Sequence, residues 1–276
     1  MVLQDIDEFW QTFMEKSFES PGGGPATIYR GVTNKDHKLI PSIARHPAEH
    51  TVGGVTDLER DLLEEFKRLS IRELEFVPDN EFEWVFLAQH HGLPTRLLDW
   101  STNPLVALYF SAERGDDRDG AVYTVNQAVT DQYTLFDYRT ADYTEEHRKT
   151  PGSIIAIQQR QREVIFVRPK YKDRRYHNQA SVFSCPAQPF EPLVPTDQLI
   201  VPKELKPVLR ERLKKLGVSA SFIYPGLDGV ASEVKISLYN PVESGRVRRV
   251  SVRGELRLPP IGPGETPKAE QGIPAA

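Results

Sequence analysis

The sequence predicts an α+β fold. Apolar residues at helical spacing are concentrated in the first 115 of its 276 residues, whereas short β-type runs dominate the middle. Segregation of the two kinds of element, rather than strict alternation, argues against a regular doubly wound sheet. A third observation marks the functional region. The run 89–110 sets two imidazoles, a guanidinium, a carboxylate, an indole and the adjacent hydroxyls of Ser101 and Thr102 around one turn, then enters an apolar helix. Core segments do not concentrate so much hydrogen-bonding chemistry, because each buried polar atom needs a partner.

Leu3, Ile6, Trp10, Phe13 and Met14 predict an opening amphipathic helix, broken by the Pro- and Gly-rich segment 21–25. Residues 26–30 predict a strand that delivers Tyr29-Arg30-Gly31. Thr56 and Glu59 have the spacing of a capping box for a second helix, with Leu62, Leu63, Phe66 and Leu69 as its buried stripe. Asn80 and Glu83 repeat that spacing for a third, through Trp84, Phe86 and Leu87, ended by Gly92 and barred from continuing by Pro94. Residues 95–100 are too few for a helix and suit a brief strand with Leu97 and Asp99 on one face. Asn103 then reads as an N-cap with Pro104 at the first helical position, and Leu105, Leu108 and Tyr109 supply the buried stripe. Further strands are predicted at 120–126, 153–157, 163–167, 178–185 and 198–201, with 127–150 a polar, tyrosine-rich insertion lacking a period. Helices follow at 203–216, closed by Gly217, and at 227–238.

The domain plan is an N-terminal helix and Gly-rich hinge over 1–24, one domain over 25–240, an additional strand within 241–258 and a disordered tail over 259–276. No apolar run approaches the ~20 residues of a membrane span, and the opening residues lack a basic, apolar signal. The single cysteine, Cys185, excludes an internal disulfide framework and fits a reducing cytoplasm, where it is expected buried rather than reactive. A net charge of -4 offers no global attraction for nucleic acid, so such a partner would need a local basic patch.

The usual catalytic and metal signatures are missing. There is no CxxC, H-E-x-x-H or calcium loop, so no metal is expected; His90 and His91 point about 100° apart on a helix. There is no G-x-S-x-G and no G-x-G-x-x-G, and the triple glycine 22–24 lacks the lysine of a phosphate loop and reads as a hinge. Three separated pieces remain: Tyr29-Arg30-Gly31 at a strand end, Asp99-Trp100-Ser101-Thr102 ahead of the Pro104 helix, and Asn178-Gln179-Ala180-Ser181-Val182-Phe183 on a later strand. Arginine offers a planar fork to a pyrophosphate. Hydroxyls at a helix start can hold a phosphate or a ribose, and the third piece can touch the ribose 2′-OH.

Structural readings stand beside that one. Arg30 equally suits a strand-end ion pair, Arg96 and Asp99 are expected to pair with each other as scaffold, and His90 to cap its helix end. Trp84, Trp100, Tyr109 and Phe110 suit the core, Trp100 being the best ring to stack on a nicotinamide or adenine. The basic run Arg168, Lys170, Lys172, Arg174 and Arg175 suits a solvated loop or a nucleic-acid contact.

Tyr29-Arg30-Gly31, Leu39-Ile40-Pro41-Ser42-Ile43-Ala44-Arg45 and the run 89–110 resemble the FRG domain, as do the Asn178-Gln179 segment and Phe222-Ile223-Tyr224-Pro225-Gly226-Leu227-Asp228-Gly229. The likeness covers roughly 25–235 and makes 25–240 the FRG domain of the plan. In a weaker way, the order of Arg-Gly on a first strand, Ser-Thr entering a helix and a polar residue on a late strand is similar to ADP-ribosyltransferases of the R-S-E type. That resemblance implies a split antiparallel β-sheet with a helical N-terminal lobe and NAD as substrate. It implies a cofactor-binding set of Tyr29, Arg30, Gly31, Arg96, Trp100, Ser101 and Thr102. Gln179 then stands where the family has its catalytic glutamate, and Asp99 and His90 are the other catalytic candidates. The implied activity is NAD-dependent ADP-ribosyl transfer to a protein or nucleic acid, or NAD hydrolysis, in stress response or phage defence. The alternatives are a non-catalytic NAD or ADP-ribose sensor, and a nucleic-acid-binding protein using the 168–175 loop.

Overall fold

A computed structural model of the chain describes residues 2–18, 27–45, 54–78, 81–126, 133–136, 164–169, 174–186 and 188–239. The predicted strands at 153–157 and 241–258, the tail and the Gly-rich hinge lie outside these residues. The class is α+β, as the sequence predicts.

Helix α1 (Val2–Phe18) buries Ile6, Phe9 and Phe13, whereas Met14, one position further round, faces solvent. Strand β1 is Thr27–Val32. Helix α2 (Gly54–Ser70) starts two residues before Thr56, so no capping box forms. Glu59 is instead buried against Arg96, with Leu63 beside it in the core and Leu69 exposed. Helix α3 (Glu81–His90) ends as expected at Gly92, whose φ of +85° suits glycine; its predicted cap, Asn80, lies outside the described residues. Strand β2 (Leu98–Ser101) begins later than expected. Thr95 and Leu97 are held in a turn, where Thr95 Oγ1 donates to Gln89 Oε1 at 2.5 Å and accepts from the Leu97 amide at 3.2 Å. Asp99 shares its strand face with Ser101, and Leu97, just outside the strand, packs with Phe183 of that same face.

Helix α4 (Pro104–Ala112) forms as predicted, the Asn103 side chain accepting from the Leu105 amide at 2.9 Å. Strand β3 is Gly120–Asn126, and β4 (Tyr133–Phe136) lies in the stretch read as a periodless insertion. Strand β5 (Val164–Val167) matches expectation. The predicted strand at 178–185 instead opens as a short helix, α5 (Arg174–Asn178), and a turn at Gln179 and Ala180 (φ +46°) precedes strand β6 (Ser181–Pro186). Strand β7 (Asp197–Val201), helix α6 (Lys206–Lys215), the one-turn α7 (Ala220–Ile223) and α8 (Leu227–Tyr239) complete the described chain.

The seven strands form one sheet in the order β4-β5-β6-β2-β1-β3-β7. All neighbours are antiparallel except β4 and β5, which correct the expectation of a wholly antiparallel sheet. The long interval between those two strands leaves room for the crossover that parallel pairing needs. Pairing is full on both sides of β1 and β2 but not between them. β1 pairs with β3 over six residues and β2 with β6 over four, whereas β1 and β2 share the single pair Tyr29–Ser101. The sheet therefore has a seam.

The registers put Tyr29, Ser101, Phe183 and Val167 on one face. Helices cover that face in two groups. α1, α4, α6 and α7 pack over the β1-β3-β7 half through Ile6, Phe13, Tyr29, Leu108 and Leu209, and α2 and α3 over the β5-β6 half through Leu63, Phe86 and Phe183. The opposite face buries Ile28, Trp100, Tyr123 and Phe166 beneath Leu39 and Leu193. The N-terminal helices thus form no lobe of their own, since each joins the core of the sheet half it covers. Gly31 is where α4 meets β1: a Cβ there would lie 1.8 Å from the Ala107 carbonyl oxygen.

Candidate functional site

A cleft of about 260 Å³ opens along the seam. Past the Tyr29–Ser101 pair, β1 and β2 stop registering, and the Arg30 guanidinium reaches across instead. Its Nη1 donates to the Asp99 backbone oxygen and lies 3.9 Å from the Asp99 carboxylate. Arg30 Nε is buried and finds no hydrogen-bond partner among the described residues. Burial holds the Arg30 pKa below the ordinary arginine value, with the Asp99 charge opposing and Arg45 reinforcing that shift. A buried cation in a cleft with a hydrogen-bond donor left over is a candidate anion-binding group.

More cations line the cleft: Lys38, Arg45, Arg114 and Arg175. Arg45 is fixed by donating to the Ile40 carbonyl at 3.1 and 3.3 Å. Arg175, from α5, lies over the Tyr224 ring at 5.1 Å from its centroid, and Phe110 meets that ring edge-on at 6.3 Å. Buried Lys206 anchors the rim from below, its Nζ donating to the carbonyls of Thr33, Arg114 and Gly115 at 2.8–3.2 Å.

Ser101 and Gln179 lie in the cleft wall with their polar atoms in use. The Ser101 hydroxyl donates to the Gln179 carbonyl at 2.7 Å and accepts from the Asn103 amide at 2.9 Å. Gln179 Nε2 donates to the Ile223 carbonyl at 3.0 Å, and Asn178 Nδ2 to the Phe222 carbonyl at 2.7 Å. The turn carrying Gln179 is thereby stitched to α7, which explains why the predicted strand gives way to a helix and a turn. Tyr29, Gly31 and Trp100 also line the cleft. The Tyr29 hydroxyl is spent on the Ser17 carbonyl at 2.8 Å, and the Trp100 indole is buried, donating to Ser184 Oγ at 2.9 Å.

Three residues of the predicted set do not line the cleft. Arg96 is buried and paired with Glu59 of α2, which takes both its backbone amide and its Nε, so the expected Arg96–Asp99 pair does not form. Asp99 accepts from Gln89 Nε2 at 3.1 Å instead. His90 packs on Tyr176 at 5.4 Å between ring centroids. Thr102 is tied through its amide to the Ala180 carbonyl at 3.0 Å.

One candidate group of the cleft escaped the sequence reading. Glu113, directly after α4, lies in the cleft wall and accepts from the Tyr224 hydroxyl at 2.8 Å. Burial pushes its carboxyl above the usual glutamate range, against the pull of the Tyr224 hydrogen bond and of Arg114 and Arg175. The Tyr224 phenol is raised by the same burial and by Glu113. A signal for Glu113 exists in the sequence: a carboxylate at a helix C-terminus opposes the helix dipole, and needs another reason to be there.

Among the described residues no group of three metal-ligating side chains comes together, and no helix is long and apolar enough to cross a membrane. Residues 25–120 match the family model of the FRG domain. The chain carries an FRG domain. The matched stretch runs from just before β1 to the start of β3, so it contains Arg30, Asp99, Ser101 and Glu113, while Arg175, Gln179 and Tyr224 of this cleft lie beyond it. No curated protein and no solved structure matches the chain.

Proposed function

We propose that the FRG-domain cleft binds NAD as an ADP-ribosyl donor and breaks its nicotinamide bond, passing ADP-ribose to water or to a protein or nucleic-acid acceptor. The observation that carries this reading is Arg30, a buried guanidinium with a free Nε at a seam ringed by further cations. Such a constellation suits a pyrophosphate, which a planar fork grips at two oxygens. The Tyr224 and Phe110 rings beside it suit a flat base. Bond breaking builds positive charge at the ribose C1′, and a nearby carboxylate stabilises that charge better than an amide does. Asp99, at the seam beside Arg30, is the carboxylate this reading assigns to that charge. Gln179, committed to Ile223, is assigned to positioning the wall.

Calorimetry with NAD, ADP-ribose and nicotinamide, followed by chromatography of released nicotinamide, tests the proposal. The expected result is binding of NAD and ADP-ribose, lost in Arg30→Ala, together with nicotinamide release. No binding at millimolar NAD defeats it.

A second reading has its own support. The Ser101 hydroxyl and the Gln179 amide are both engaged within the protein, which suits a rigid sensor that holds NAD or ADP-ribose without turnover. Binding with no nicotinamide release, with or without lysate as a source of acceptor, selects it. The nucleic-acid reading of the 168–175 loop has less to draw on, because Arg175 turns onto Tyr224.

A further inference from the structure

We propose that Glu113 is the general base of this cleft, accepting the proton from the water or acceptor hydroxyl that receives the ADP-ribosyl group, with Tyr224 holding its carboxylate in position. The inference rests on the NAD reading and adds to it the group that activates the nucleophile.

The argument begins with the two carboxylates of the cleft. Asp99 is the more exposed, lies 3.9 Å from a guanidinium and accepts from Gln89. Its carboxylate is open to the seam, a placement suited to facing a cation. Glu113 is the opposite case. Its side chain is largely buried, and Tyr224 donates to Oε2 at 2.8 Å. The guanidinium on its other oxygen, Arg114 Nε at 3.5 Å from Oε1, belongs to a side chain that is mostly in solvent. The groups facing Glu113 are the Tyr224 hydroxyl beyond α7, Arg114 next in the chain, Arg175 from α5 and Tyr109 on its own helix. Burial outweighs the pull of Tyr224, Arg114 and Arg175 and raises the proton affinity of Glu113, the direction that a base working near neutrality requires.

A purely structural role does not account for this geometry. The buried structural carboxylate of this protein, Glu59, is closed on the Arg96 amide and guanidinium together. Glu113 has no such closure, sits at the end of a helix whose dipole disfavours its charge, and lines the cleft.

The step balances as follows. The nucleophile's oxygen forms a bond to the ribose C1′ as the C1′–N bond breaks. The electron pair of that bond returns to the pyridinium nitrogen, giving neutral nicotinamide. The proton of the nucleophile passes to Glu113 and from there to solvent.

Glu113→Gln keeps the shape of the side chain and an oxygen to accept from Tyr224. The experiment is NAD cleavage as a function of pH, with NAD affinity measured alongside. For wild type, kcat falls toward acid with a midpoint above the ordinary glutamate value, because protonated Glu113 cannot accept a proton. Glu113→Gln is expected to lose about 100-fold or more in kcat, to keep NAD affinity and to lack that acid limb. Tyr224→Phe, which removes a hydrogen bond that favours the charged form, is expected to move the limb to higher pH. Wild-type kcat in Glu113→Gln with NAD binding intact overturns the inference and leaves the donor reading standing. Loss of NAD affinity together with rate, the acid limb unchanged, makes Glu113 structural and overturns it as well. Wild-type protein that binds no NAD, or binds it without cleavage, overturns the inference and the transferase reading together.

Discussion

Two arginines of the same sheet region meet opposite fates. Arg96 has a side chain only 2% exposed, and Glu59, itself 10% exposed, closes on it. Arg30 is 15% exposed, and its partner Asp99 is 52% exposed and 3.9 Å away. Both guanidiniums have left bulk water, but one recovered its hydration from a buried carboxylate and the other only in part. The difference separates scaffold from site. A fully compensated buried ion pair fixes geometry and has nothing left to offer a ligand. A partly compensated one keeps hydrogen-bonding capacity that an incoming anion can use.

The most severe way to break the comparison is to remove the closure. Glu59→Ala leaves Arg96 buried with an uncompensated charge and is expected to lose about 3–5 kcal/mol of stability. Replacing the pair together, Glu59→Leu with Arg96→Met, is expected to recover most of that loss. Chemical denaturation of the two variants decides, and an alanine variant as stable as wild type would mean that Arg96 is not held as described.

Arg30→Ala comes next. It removes a charged hydrogen bond to the Asp99 carbonyl across the seam, worth about 1.5–3 kcal/mol of stability. Because a contact of that size to a ligand corresponds to roughly 10–150-fold, NAD affinity is expected to fall by at least tenfold. Equal melting temperatures with undiminished NAD binding would remove Arg30 from the site. The smallest effect belongs to its exposed partner. Asp99→Asn is expected to change stability by no more than about 0.5 kcal/mol, since half-exposed pairs at this distance contribute little. A loss of NAD cleavage in that variant, at unchanged stability, would sharpen the division between the two arginines further.

Legibility in the sequence follows the range of the interaction. Helix α4 is readable because its signals are local: Asn103 caps it, Pro104 starts it, and both lie within one turn of the residues they serve. Strand β3 is readable from its uninterrupted β-type run. The partner of Arg96 is not, because Asp99 is three residues away in sequence, whereas Glu59 arrives from a separate helix. The same spacing that made Thr56 and Glu59 resemble a capping box concealed Glu59 as a buried counter-ion. The turn at Gln179 hides for a similar reason. Its residues read as the start of a strand, but hydrogen bonds from Asn178 and Gln179 to α7, 44 residues further along the chain, hold them in a helix and a turn. Within the candidate site, Arg30 stands out in the sequence because it lies in a compact, unusual motif. Glu113 lies outside every motif singled out in the sequence, and nothing links it to Tyr224 until the fold brings the two within 2.8 Å.

Gly31 carries a mechanical consequence. With a Cβ at that position falling 1.8 Å from the Ala107 oxygen, α4 rests on the bare backbone of β1. A hydrogen atom is thus the spacer between the strand that carries Arg30 and the helix that carries Phe110 and Glu113. Any bulkier residue would meet the α4 backbone there, so the strand or the helix would have to shift. Residue 31 is in this sense a gauge. Its immediate neighbour reaches across the seam to Asp99, while the glycine sets how closely α4 lies on that strand.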